Sequence, residues 1–175
     1  VRSIEYISYD LTGTVGTISL TKGQILENCV PFLTFATSQN DNDRMFVDVY
    51  FTEGFRLRPN RPDSTGTCYI RGYVVEFEPD QVRGQQGEFY TSGQSHTPTT
   101  SGVDRNKTAM TVYYTTQDSS NGTEDAWVRG RLPNTTSAEF YRDGTGGMIS
   151  GHYYIFEALD DQFSVQYVTN GTMSS

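Results

Sequence analysis

Tyr69-Ile70-Arg71-Gly72-Tyr73-Val74-Val75-Glu76-Phe77 reads as one β-strand from end to end. Six of its nine residues are Val, Ile, Tyr or Phe, which suit a pleated, half-buried surface. Its apolar residues lack the three-and-four spacing that a helix needs. Gly72 in the middle predicts a bend or a bulge. Upstream, Met45-Phe46-Val47-Asp48-Val49-Tyr50-Phe51 alternates, so that Met45, Val47, Val49 and Phe51 share one side.

The long strand has an echo. Ile70 and Gly72 return as Ile149 and Gly151, and Phe77-Glu78 as Phe156-Glu157, at a constant offset. After a two-residue insertion Asp80-Gln81 matches Asp161-Gln162, and Gln85 matches Gln166. Upstream, Phe35, Thr37 and Gln39 answer to Tyr113, Thr115 and Gln117, and Phe46-Val47 to Trp127-Val128. Internal self-similarity of this kind marks a repeated structural unit.

Similar β-rich runs recur along the chain, separated by Gly, Pro, Asn, Asp and Ser. Roughly twelve strands are expected, the last near 162–168. The predicted fold is all-β: two tandem, related antiparallel β-sandwiches, 1–88 and 89–175. Ser92 to Asp104 is almost free of apolar residues and is expected to be an exposed loop. A single jelly roll is the other architecture that this spacing allows.

Charge and composition exclude several functions. The chain has 175 residues, 21 acidic against 13 basic, and a net charge of −8. Binding to nucleic acid needs a basic face to release counterions, so none is expected. No apolar run approaches membrane-spanning length, and no leader pattern is visible at the start. Aromatic and β-branched residues are too plentiful for a disordered chain.

Signs of chemistry are sparse. His96 and His152 lie far apart with no ligand spacing around them; a solvated loop is expected for His96, and a place beside a strand tyrosine for His152. No metal, cofactor or catalytic residue is assigned. Asn40-Asp41-Asn42-Asp43 gathers oxygen ligands but lacks the glycine and distal glutamate of a calcium loop, so it reads as a solvated turn. Gly144-Thr145-Gly146-Gly147 reads as a connection between two strands. Cys29 and Cys68 leave two readings open: a disulfide closing a loop of about forty residues, or two buried free thiols.

Phe55-Arg56-Leu57-Arg58-Pro59-Asn60-Arg61-Pro62 is the only local basic cluster. Arg56, Arg58 and Arg61 are the interface candidates, suited to the acidic surface of a neighbouring subunit. The same segment also fits an edge strand protected by charge and proline. Tyr113, Tyr114, Tyr141, Tyr153 and Tyr154 are candidates for stacking on a sugar or for ordinary cross-strand packing. Trp127 aligns with Phe46 and is expected in a core.

Two segments carry a resemblance: Gly23-Gln24-Ile25-Leu26-Glu27-Asn28-Cys29-Val30-Pro31-Phe32-Leu33-Thr34-Phe35, and Tyr73-Val74-Val75-Glu76-Phe77-Glu78-Pro79-Asp80-Gln81-Val82 with Gln85-Gln86-Gly87. They resemble segments of tailed-bacteriophage virion proteins built from small, often duplicated β-sandwiches. The resemblance implies a non-enzymatic structural protein on the virion exterior, a capsid decoration or head-fibre component. Its implied partners are the major capsid protein, other virion proteins and further copies of itself in a homo-oligomer. The alternatives are a module that binds a glycan or receptor, and a tail-tube or tail-adaptor subunit.

Overall fold

The computed structural model describes residues 1–22, 26–37, 46–117 and 126–160. The expected strand at 162–168 and the Asn40–Asp43 loop lie outside these residues. Within them the chain is nearly all β, with twelve strands in four three-stranded antiparallel sheets. The first six are β1 (Ser3–Leu11), β2 (Ile18–Ser19), β3 (Cys29–Thr37), β4 (Asp48–Thr52), β5 (Arg56–Asn60) and β6 (Cys68–Glu76). The second six are β7 (Val82–Thr91), β8 (Ser95–His96), β9 (Thr108–Thr116), β10 (Arg129–Arg131), β11 (Glu139–Tyr141) and β12 (Ile149–Ala158).

The two sets repeat one topology. Sheets β1-β6-β3 and β2-β5-β4 in the first half correspond to β7-β12-β9 and β8-β11-β10 in the second. A short 3-10 turn precedes β3 at Leu26–Asn28 and β9 at Arg105–Lys107. The expected division at 88/89 falls inside β7, which pairs with β12 from Val82 to Thr91. The strand repeat turns over between β6 and β7. The apolar-poor segment Ser92 to Asp104 therefore follows the first strand of the second unit, and it contains the short strand β8.

Strand pairing fixes which residues correspond. Ile70 lies between Tyr9 and Phe35, and Ile149 between Thr91 and Thr116. Phe35 thus answers to Thr116 and not to Tyr113. A slip of three residues exchanges the faces of a strand. Phe35 shares the inward side of β3 with Leu33, whereas Tyr113 points away from its own sandwich, towards the first half. Gly72 and Gly151 do correspond. A β-carbon on Gly72 would lie 2.1 Å from the Phe32 carbonyl oxygen, and one on Gly151 2.2 Å from that of Tyr113. The backbone of the neighbouring strand occupies the space that a side chain would need.

Each half has its own core. Ile7, Leu11, Val49, Leu57, Ile70 and Val74 fill the first, and Phe89, Leu132, Phe140, Ile149 and Ile155 the second. Each such side chain contributes about 1.5–3 kcal/mol on burial. A buried arginine pins the loops at one end of each sandwich. Arg61 donates to the carbonyls of Leu11, Gly13, Thr65 and Gly66 at 2.6–3.4 Å. Arg142 does the same for Gly93, Gly146 and Gly147.

Candidate functional site

The two halves meet through one face of the β7-β12-β9 sheet. Tyr153 and Ile155 of β12 point into the second core, so His152, Tyr154 and Phe156 point the other way by strand alternation. That outward face lies across the flank of the first sandwich, where β3 and β4 end their sheets. A sheet edge leaves a row of backbone groups without a strand partner. Here tyrosine hydroxyls supply the partners. The Tyr113 hydroxyl accepts from the Leu33 N–H at 2.9 Å and donates to the Pro31 carbonyl at 2.7 Å. The Tyr154 hydroxyl donates to the Val49 carbonyl at 2.9 Å. Burial pushes the Tyr113 hydroxyl up to about 12. It also raises Tyr154 well above the ordinary phenol range, with the charge of Asp48 adding to the effect.

Beside these tyrosines, His152 Nδ1 lies 2.9 Å from both carboxylate oxygens of buried Asp48. Tyr50 stacks on the imidazole, with ring centres 4.6 Å apart. The other ring nitrogen, Nε2, faces Glu88 at 3.6 Å. Burial raises the Asp48 carboxyl above its ordinary range, and the hydrogen bond to His152 opposes that shift. In a catalytic triad the histidine has a carboxylate at one nitrogen and a nucleophile at the other; at His152 carboxylates stand at both, Asp48 and Glu88. The arrangement ties β12 to β4 and walls an open cleft of about 360 Å³. Among the described residues, no three His, Cys, Asp or Glu side chains gather where they could hold a metal ion.

The corresponding face of the β1-β6-β3 sheet has a different setting. Ile4, Tyr6, Tyr69 and Tyr73 project from it and are 44–59 % exposed. The Tyr6 and Tyr73 ring centres are 5.4 Å apart, with the planes tilted by 57°. Arg71 lies among them, 2.7 Å from Asp10 and 5.6 Å from the centre of the Tyr69 ring. Aromatic side chains and arginine are the residues that enrich protein interfaces.

The residues singled out in the sequence fall in varied places. Arg56 and Arg58 are exposed on β5, with Leu57 and Pro59 pointing inward between them. Strand β5 is the centre of its sheet, not an edge. Arg61 is 1 % exposed and spends its donors on loop carbonyls, so it cannot reach a partner. Cys29 sits opposite Glu76, and Cys68 opposite Thr37, at the two ends of the β3–β6 ladder. At about 3.3 Å per residue they are about 26 Å apart, far beyond disulfide reach. Both are buried free thiols. Burial pushes Cys29 up to about 11, and the charge of Glu76 reinforces this.

Of the five candidate sugar-stacking tyrosines, Tyr141 lies on the outer face of its strand, opposite to buried Phe140, and the other four are packed inside the molecule. Tyr113, Tyr153 and Tyr154 are buried. The Tyr114 hydroxyl accepts from the Val128 N–H, and Tyr141 lies under Arg129 and Arg131. Trp127 is not a core residue: it is 56 % exposed and touches Phe46 only edge-on. His96 lies in β8, where its Nδ1 accepts from the Tyr90 N–H. His152 does stand beside a strand tyrosine. Asp48, Tyr6, Tyr69 and Tyr73 carry no motif. One signal was available for the last three: β1 and β6 have apolar residues on both faces, a pattern of strands covered on both sides. The chain matches no protein-family model, no curated protein and no solved structure.

Proposed function

We propose that the chain is a non-enzymatic structural component of a virion, a capsid decoration or head-fibre protein that binds the shell and neighbouring copies of itself. The observation that carries this reading is the uncovered aromatic face of the β1-β6-β3 sheet. Soluble monomers seldom leave large apolar patches in water, and patches with a polar rim mark interaction surfaces. Ile4, Tyr6, Tyr69 and Tyr73 form such a patch on a rigid sheet, with Arg71 and Asp10 at its side. Arg56 and Arg58 give an otherwise acidic chain a second, basic contact surface. The placement on a virion comes from the resemblance of the Gly23–Phe35 and Tyr73–Val82 segments to phage virion proteins.

The tilt between Tyr6 and Tyr73 weighs against the glycan-binding alternative, because the two rings do not share the flat platform that one sugar ring would lie on. The test is direct. Purified particles should contain the chain in a fixed ratio to the major shell protein, and labelled antibody against it should decorate their exterior. Its absence from purified particles refutes the reading. Arg56→Ser with Arg58→Ser should weaken attachment and flatten its salt dependence.

A further inference from the structure

We propose that copies of this chain dock head to tail, the flank of the second half of one copy lying on the Tyr6–Tyr73 face of the next. This rests on the assembly role proposed above and names the surfaces that would carry it. The contact between the halves has two sides: the outward face of β7-β12-β9, and the flank formed by β3 and β4. The strand repeat gives each side a counterpart, which the described residues leave largely open. The counterpart of the first is the outward face of β1-β6-β3. The counterpart of the second is the flank formed by β9 and β10.

Both counterparts are dressed for contact. On the face, Tyr73 takes the position of His152, next to the corresponding glycines, and Tyr6 pairs with it as Glu88 pairs with His152. The β3 side of this face is already filled by Phe156 against Phe32, so the open portion is that of β1 and β6. On the flank, among the described residues, β9 has no strand partner beyond β12 and no strand lies beyond β10. Between them runs a largely apolar groove of about 200 Å³, bordered by Met110, Val112, Gly130 and Leu132. Trp127 stands exposed nearby.

The charges correspond as well. Asp48 pairs across the ladder with Asn60, just before Arg61; Arg129 pairs with Tyr141, just before Arg142. Arg129 therefore occupies the position of Asp48. Where the internal contact sets an imidazole on a carboxylate, the contact between copies sets a tyrosine ring against a guanidinium, a favourable pairing. A contact that joins two different surfaces builds rings or open chains, whereas a symmetric pair would stop at two.

The experiment uses the full chain in analytical ultracentrifugation over a wide concentration range. Tyr73→Glu blocks the face, and Trp127→Glu blocks the flank, with Arg129→Glu as a second flank variant. Circular dichroism and melting establish that each variant is folded. The wild type should form species larger than a dimer, and each variant alone should associate at least about 30-fold more weakly. Mixing Tyr73→Glu with Trp127→Glu should restore a one-to-one pair, because each supplies the surface that the other lacks. Wild-type chains that stay monomeric, or Trp127→Glu and Arg129→Glu chains that both associate like wild type, overturn the proposal. Particle attachment is read separately: a self-association failure with attachment intact removes this contact and leaves the shell-binding part of the proposed function standing.

Discussion

Removing one oxygen atom, by Tyr113→Phe, should loosen the two halves of this chain by about 2–4 kcal/mol. The hydroxyl is buried and serves two backbone groups at once, the Leu33 N–H at 2.9 Å and the Pro31 carbonyl at 2.7 Å. Phenylalanine keeps the ring but leaves a buried donor and a buried acceptor without that partner. Each such group costs about 1–3 kcal/mol. Tyr154→Phe is a second test of the same kind, since that hydroxyl donates to the Val49 carbonyl and accepts a backbone hydrogen bond from Phe51. It should cost a similar amount, about 2–4 kcal/mol. For a chain of this size such losses are readable: each variant should lower Tm by about 5–12 °C. Urea denaturation gives the free energies, and amide exchange should show Leu33 losing protection in Tyr113→Phe alone. A cost below about 0.5 kcal/mol for either variant, or a Leu33 amide still protected in Tyr113→Phe, would refute edge capping by tyrosine.

Arg61→Met should lose about 3–5 kcal/mol in urea denaturation, because it strands four loop carbonyls around a buried position, while Arg56→Ser should stay within about 0.5 kcal/mol of wild type. Gly72→Ala and Gly151→Ala should both destabilise by more than about 2 kcal/mol, since a carbonyl oxygen lies within 2.2 Å of the added carbon in each; melting of the two variants checks this. Folding raises Cys29 from 9.0 to about 11. Its contribution to stability is therefore complete below pH 9 and is lost as pH climbs towards about 11, so Cys29→Ala should flatten that stretch of the stability profile. Neither Cys29 nor Cys68 should react with a thiol reagent at pH 8 until the chain unfolds, as mass spectrometry of the labelled protein would show.

The long strands β1, β3, β6, β9 and β12 were legible because each is rich in Val, Ile, Tyr, Phe or Thr and long enough to set its own pattern. Strand β8 was not, since two residues carry no period and only its pairing with β11 makes it a strand. The duplication was legible in β6 and β12, where Gly72 and Gly151 answer to the same crowding. It was misread in β3 and β9, because Phe35 and Tyr113 are both aromatic yet lie on opposite faces. The Asp48–His152 pair joins residues 104 apart through the docking of two halves, and no local spacing announces that. Arg61 left a trace that was overlooked: it stands five residues before Gly66, as Arg142 stands five before Gly147, and both pairs are bonded. Proximity to Arg56 and Arg58 made Arg61 look like part of a surface cluster, although its carbonyl partners hold it inside.

Four three-stranded sheets expose many edges, and an exposed edge invites unwanted strand pairing. In this chain the duplication itself supplies part of the remedy. The second half covers the β3 and β4 edges of the first and satisfies them with side-chain hydroxyls, so the cover does not extend the sheet. This accounts for how the two copies diverged. At three corresponding positions the covering face carries Tyr113, His152 and Tyr154, each with a polar atom aimed at a partner in the first half. The β1-β6-β3 face carries Phe32, Tyr73 and Val75 at the same positions; Phe32 packs on Phe156, and the face is open around Tyr73. Polar tips are placed where an edge must be satisfied, and plain apolar surface is left where none is. A face kept apolar in water is costly to maintain unless something covers it. The divergence of the copies thus leads from the fold to the proposal that this face is a contact surface.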